Sequence, residues 1–198
     1  MQNKLVAEGI GTFVLALTVL TSLHTDGAAL ATPVAAALVL TLFVYTIGSK
    51  SGCHINPAVT LGLWSINKIK TNDAMSYIIA QVVGGIAAFL VASILLGNSY
   101  TLGLVPESFS IFLAELIGAA VFGFGIAAVA YERSPRDATG IVVGGSLLVG
   151  IMLAISFGSA GILNPAVAIA LGSLNLSYVF GAIAGAMIGM NVYRRVVA

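Results

Sequence analysis

The sequence predicts an all-α membrane protein: six transmembrane helices and two re-entrant half-helices arranged as an inverted repeat. Three observations predict it. Of the 198 residues, 59% are hydrophobic and only 8% charged, and the mean hydropathy is +1.08; a soluble domain carries about 25% charged residues. Six apolar runs approach or exceed the length of about 20 residues that a bilayer crossing needs. Finally, the chain is written twice, the second copy following a little over a hundred residues behind the first. A soluble enzyme, a disordered chain and a large extramembrane domain are excluded. A net charge of +1 leaves no nucleic-acid footprint. The single cysteine cannot close an internal disulfide, and no Cys/His cluster has metal-ligand spacing.

The runs are taken in order. Leu5–Ser22 is the first run; Glu8 lies inside it and no clear cleavage site follows, so it is read as a span rather than a signal peptide. Ala28–Thr46 is the second. Asn56–Ile66 is too short to cross and opens with Asn-Pro-Ala. Ala74–Leu96, Ser110–Tyr131 and Thr139–Phe157 are the third, fourth and fifth spans. Asn164–Ser173 is again short and again opens with Asn-Pro-Ala, and Leu176–Val197 is the sixth span.

Charge fixes the orientation. If the N-terminus is cytoplasmic and the short stretches do not cross, Lys4, Lys50, Lys68, Lys70, Arg133, Arg136, Arg194 and Arg195 all face the cytoplasm, and these are all eight basic residues. The other side receives only His24, Asp26 and Glu107. The positive-inside rule therefore supports six spans with both termini inside. Counting the short stretches as full spans would scatter the charges, so they read as re-entrant.

Self-comparison adds the repeat. Ala7-Glu8-x-Ile10-Gly11 recurs as Ala114-Glu115-x-Ile117-Gly118, and Ser51 with Asn56-Pro57-Ala58-Val59 recurs as Ser159 with Asn164-Pro165-Ala166-Val167. Tyr77 and Gly84 pair with Tyr178 and Gly185. Residues 1–198 thus form one transmembrane domain of two repeats, about 1–100 and 107–198. Three spans in each half oblige the second copy to enter from the opposite face, and inverted repeats place solute paths at their interface near mid-membrane. Irregular backbone is tolerated at that depth only where protein buries it or water lines it. Asn caps free N–H groups and Pro suits the first helical position, so each Asn-Pro reads as a helix start. Two half-helices entering from opposite faces would bring their positive dipole ends together, repelling protons and cations. The amides of Asn56 and Asn164 could there bond a passing neutral molecule.

These residues resemble the major intrinsic proteins, the aquaporins and aquaglyceroporins. The resemblance is carried by Ser51-Gly-Cys-His-Ile-Asn-Pro-Ala-Val-Thr60 and Gly161-Ile-Leu-Asn-Pro-Ala166, with Ala7-Glu8-x-x-Gly11-Thr12-Phe13 and Ala80-Gln81-x-x-Gly84-Gly85 in support. It covers essentially the whole chain. It implies an aquaporin-like fold, a pore in each subunit of a homotetramer, and passive flow of water or small uncharged solutes across a plasma (inner) membrane, with no cofactor or metal. In that family width, lining and electrostatic barriers set selectivity.

One departure matters. The arginine that follows the second Asn-Pro-Ala in most of the family is Val167 here. The other filter positions fall on Ala36, Gly161 and either Ile151 or Met152. All are apolar, so the implied outer constriction lacks its fixed charge and is wider than a water-only filter. Glycerol, urea or ammonia is therefore an alternative permeant, and a closed-pore structural protein is a further one.

The remaining polar residues have sharp and plain readings. Glu8 and Glu115 could form a proton relay or a cation site, but matching positions favour hydrogen bonding to the re-entrant loops. His54 could gate by titration; bracing its loop is the plainer role. Cys53 beside His54 makes no catalytic dyad without an orienting acid, and is expected near the cytoplasmic half of the pore. Gly123-x-Gly125-x-x-Ala128 matches a dinucleotide fingerprint by accident, inside a span with no preceding strand. Gly181, Gly185 and Gly189, like Gly84, Ala88 and Ala92, form small-residue stripes, so the sixth and third spans should pack tightly.

Overall fold

The computed structural model describes residues 1–24, 31–97 and 107–197. Asp26 lies outside them, as does the expected junction between the two repeats. The elements are α1 (Gln2–His24), α2 (Ala31–Ser51), α3 (Pro57–Ser65), α4 (Thr71–Leu96), α5 (Phe109–Ala130), α6 (Thr139–Ser156), α7 (Pro165–Ala170) and α8 (Leu176–Val197). A 3₁₀ turn, Arg136–Ala138, leads into α6. Among the described residues six helices are long and apolar enough to cross a membrane, and they are the six expected ones. Side chains such as Leu38, Ile79, Ile94 and Ile141 stand exposed on their flanks. Water would penalise such a surface and hydrocarbon does not.

The long helices follow one another around the bundle in the order α4, α1, α2, α6, α5, α8, and the short helices close the gap between α8 and α4. α3 packs on α8 and α4, while α7 packs on α4 and α1. The ends of α2, α3, α5 and α8 lie at one end of the bundle, with the turn before α6. There the Tyr45 hydroxyl donates to the Asp137 carbonyl and Asn191 donates to Ser65. Lys68 lies 4.1 Å from the centre of the Tyr131 ring. We call this the basic end.

Glycines set how close the helices come. A Cβ on Gly181 would sit 2.8 Å from the Phe112 carbonyl oxygen, and at Gly185 and Gly189 the collisions, with Leu116 and Ala120, are closer still. Successive turns of α8 thus lie against the backbone of α5. In the third span Gly84 meets the Gly9 carbonyl of α1 and Gly85 that of Ala166. Both stripes read from the sequence are therefore close helix contacts, of the third span with the first and of the sixth with the fourth.

The half-helices are shorter than the apolar stretches that foretold them, α7 markedly so. Its chain turns out at Leu171, whose N–H reaches back to Val167 and Ile169, and Gly172 follows at φ 65°.

The close contact predicts a contrast between two glycines. Gly185→Ala should lower stability by about 1–3 kcal/mol through overpacking against α5. Gly145→Ala, with nothing within 4 Å of the added carbon, should leave it unchanged or slightly raised. Thermal unfolding of the two variants in the same detergent reads the difference.

Candidate functional site

Each half-helix begins at a capping asparagine. The Asn56 side-chain oxygen accepts from the Ala58 N–H at 2.8 Å, and that of Asn164 accepts from the Ala166 N–H at 3.0 Å. Pro57 and Pro165 occupy the first helical positions, where a missing N–H costs nothing. The two amides then reach across to each other's loops. Asn56 Nδ2 donates to the Leu163 carbonyl at 2.9 Å, and Asn164 Nδ2 donates to the Ile55 carbonyl at 3.0 Å. The second N–H of each amide has no acceptor among the described residues, and both asparagines line the same cavity.

The loops before the caps turn sharply, with Cys53 at φ 52°, Ile55 at 38°, Gly161 at 67° and Leu163 at 50°. Such backbone leaves N–H groups pointing inward, and two carboxyl groups collect them. Glu8 accepts from the Ser51 hydroxyl (2.6 Å), the His54 and Ile55 N–H groups (2.9 and 2.6 Å) and the Gln81 amide (2.8 Å). Glu115 accepts from the Ser159 hydroxyl and from the Ile162 and Leu163 N–H groups (3.0 and 2.7 Å). Both glutamates are 0% exposed and neither is part of a cavity wall. Each of these partners is a donor.

The halves differ beside these carboxyls. Gln81 also donates to the Thr60 hydroxyl at 2.9 Å, and His54 Nδ1 lies 3.1 Å from that same oxygen. The Tyr77 ring stands edge-on to His54 at 5.1 Å, and its hydroxyl donates to the Ser51 carbonyl. The corresponding positions in the second copy are Ile162, Ala168 and Ala182, which can form no such chain.

Two cavities approach the asparagine pair from opposite ends. The outer one, about 270 Å³, is walled by Leu15, Ala36, Leu147, Ile151, Gly161 and Val167 among others. Among the described residues no Lys, Arg, Asp or Glu lines it. The inner one, about 500 Å³, opens at the basic end and includes Lys68 and Arg136. Cys53 lines this inner cavity and is buried.

Of the two candidates for the fifth-span position, Ile151 is 6% exposed and faces the outer cavity. Met152 is 57% exposed on the outside of the bundle and must be withdrawn as a wall residue. One helical residue turns a side chain by about 100°, so both cannot face inward.

Sequence reasoning placed Cys53 on this inner side but missed three further wall residues, Val44, Val59 and Val143, that the repeat encodes. The offset of 107 or 108 carries Ala36, Ile151, Gly161 and Val167 onto Val143, Val44, Cys53 and Val59. All four line the inner cavity. No group of three or more His, Cys, Asp or Glu gathers in either cavity among the described residues.

The profile of the family described as "MIP: Major intrinsic protein" matches residues 1–193. The chain belongs to the major intrinsic proteins. It is 35% identical to Aquaporin AqpM of Methanothermobacter thermautotrophicus over 133 residues, 62% of this chain and 54% of that protein. The match thus spans about half the length of that relative. Aquaporin Z of Photorhabdus laumondii is 30% identical over 189 residues, 84% of this chain and 81% of that one. Among solved structures, the aquaglyceroporin from Plasmodium falciparum superposes with a TM-score of 0.69 at 22% identity, covering 97% of this chain and 93% of its own. That likeness is one of fold.

In this major intrinsic protein the two carboxyls differ in how many donors they serve. Glu8→Ala strands four and Glu115→Ala three, and each orphaned buried donor costs about 1–3 kcal/mol. Both variants should melt well below the parent in detergent, Glu8→Ala the lower of the two.

Proposed function

We propose that the chain is a passive transmembrane channel for water and small uncharged solutes. The observation that carries this reading is the pair of cavities opening from opposite ends toward Asn56 and Asn164, whose spare N–H groups have no protein acceptor among the described residues. A neutral molecule can exchange one water bond at a time for those amides. A cation would shed its hydration where two asparagine-capped helix starts present partial positive charge. Ala36, Ile151, Gly161 and Val167 would wall the outer approach, and Glu8, Glu115 and His54 would hold the loops.

The chain is read as two inverted repeats, about 1–100 and 107–198. The family membership supports a homotetramer in a plasma (inner) membrane, and the gathering of basic residues at one end supports cytoplasmic termini. No catalytic step and no cofactor is proposed.

A second reading is favoured by one observation, the absence of any fixed charge at the outer quartet. Without an arginine at Val167 the filter offers room to glycerol, urea or ammonia.

Stopped-flow light scattering on proteoliposomes tests both readings. A sucrose step should shrink them faster than bare lipid. Val167→Arg should reduce glycerol re-entry more than water flow, because it adds bulk and charge at the outer quartet. Flux no greater than bare lipid for the parent chain would overturn the channel reading and leave a closed-pore structural protein.

A further inference from the structure

The two cavities share three wall residues, Leu40 of α2, His54 of the first loop and Phe122 of α5. Both asparagines belong to the outer cavity alone. The path is therefore divided on the basic side of the asparagine pair, away from the outer quartet, which lies within one continuous cavity. We infer that Leu40, His54 and Phe122 form the ring that selects solutes by size, and that the outer quartet does not.

The repeat explains why the division falls on that side. The same offsets carry Leu40, His54 and Phe122 onto Leu147, Ile162 and Leu15, and those three line the outer cavity without interrupting it. The two rings are built on equivalent backbone positions with different side chains. Leucine faces leucine, but a phenylalanine replaces Leu15 and a histidine replaces Ile162. Phe122 and Leu40 are each 2% exposed.

His54 is the least movable of the three. Its Nδ1 lies 3.1 Å from the Thr60 hydroxyl, which accepts from Gln81, and Gln81 in turn donates to Glu8. The Tyr77 ring closes its other side at 5.1 Å. A wall tied to a buried carboxyl through two side chains cannot yield to a larger permeant. The ring also gives a solute one imidazole and otherwise hydrocarbon. A molecule with several hydroxyls loses more hydration there than it regains, so the substrate class favoured is small and neutral with few hydrogen-bonding groups.

This inference rests on the channel reading, and its test separates the two. Proteoliposomes of the parent chain, Phe122→Ala, Leu40→Ala and Ile151→Ala are given sucrose and glycerol steps, and the ratio of glycerol to water permeability is compared. Widening the inner ring at either position should raise the ratio about tenfold, the effect of a barrier lowered by about 1.4 kcal/mol. Ile151→Ala at the outer quartet should leave it within about twofold of the parent. Two inner variants guard against one failing to fold. A rise for Ile151→Ala that equals or exceeds the inner variants overturns the inference, as does a parent chain that admits glycerol as readily as water. Those outcomes leave the channel intact, whereas no flux above bare lipid in any sample removes the channel and the inference with it.

Discussion

The fold depends on satisfying two stretches of non-helical backbone at membrane depth. A peptide N–H without a partner in that setting costs several kcal/mol, and water is not freely available to supply one. Glu8 and Glu115 meet that demand from the first third of α1 and α5, each gathering a hydroxyl and two consecutive backbone N–H groups. Once the loops are held, the asparagines that follow are fixed in direction. Their side chains can then cap α3 and α7 and bond across to the opposite loop. Long helices pack at close range around this centre because glycines on α8 and α4 admit neighbouring carbonyls.

The same centre treats its two ends differently. The first copy extends the carboxyl through Gln81 and Thr60 to an imidazole on the cavity wall, and the second ends at Ile162, Ala168 and Ala182. The inner cavity includes Lys68 and Arg136, while the outer one has no charged wall residue among those described. A pseudo-symmetric backbone thus carries an asymmetric lining. Backbone positions are constrained by hydrogen bonding common to both halves, whereas lining side chains are free to diverge.

Much of the architecture was legible because it is written in strong signals. Six long apolar runs and a one-sided charge distribution define the helices, and a carboxyl inside an apolar run is conspicuous because burying it is costly. The lining was harder to read. Leu40 and Phe122 are apolar residues in apolar helices, and nothing in their immediate sequence distinguishes a wall from a lipid-facing or packed position. The repeat offset pairs them with Leu147 and Leu15, but those too are known as wall residues only from the structure. The choice between Ile151 and Met152 turned on a single residue of helical phase, which a gap in the repeat alignment obscures. The early end of α7 depends on the turn at Leu171 and Gly172, which an apolar run conceals.

The crossed asparagine bonds also bear on how the chain is assembled. The donor in the first loop and its acceptor are 107 residues apart, and the reciprocal pair 109. Neither loop can complete its own bonding from its own half. When the first three spans have left the ribosome, Ile55 still lacks the side chain that caps its carbonyl, and Asn56 lacks the carbonyl it will cap. The first half therefore keeps an unfinished loop until the second is in place. The two crossed bonds can close only once both halves are docked.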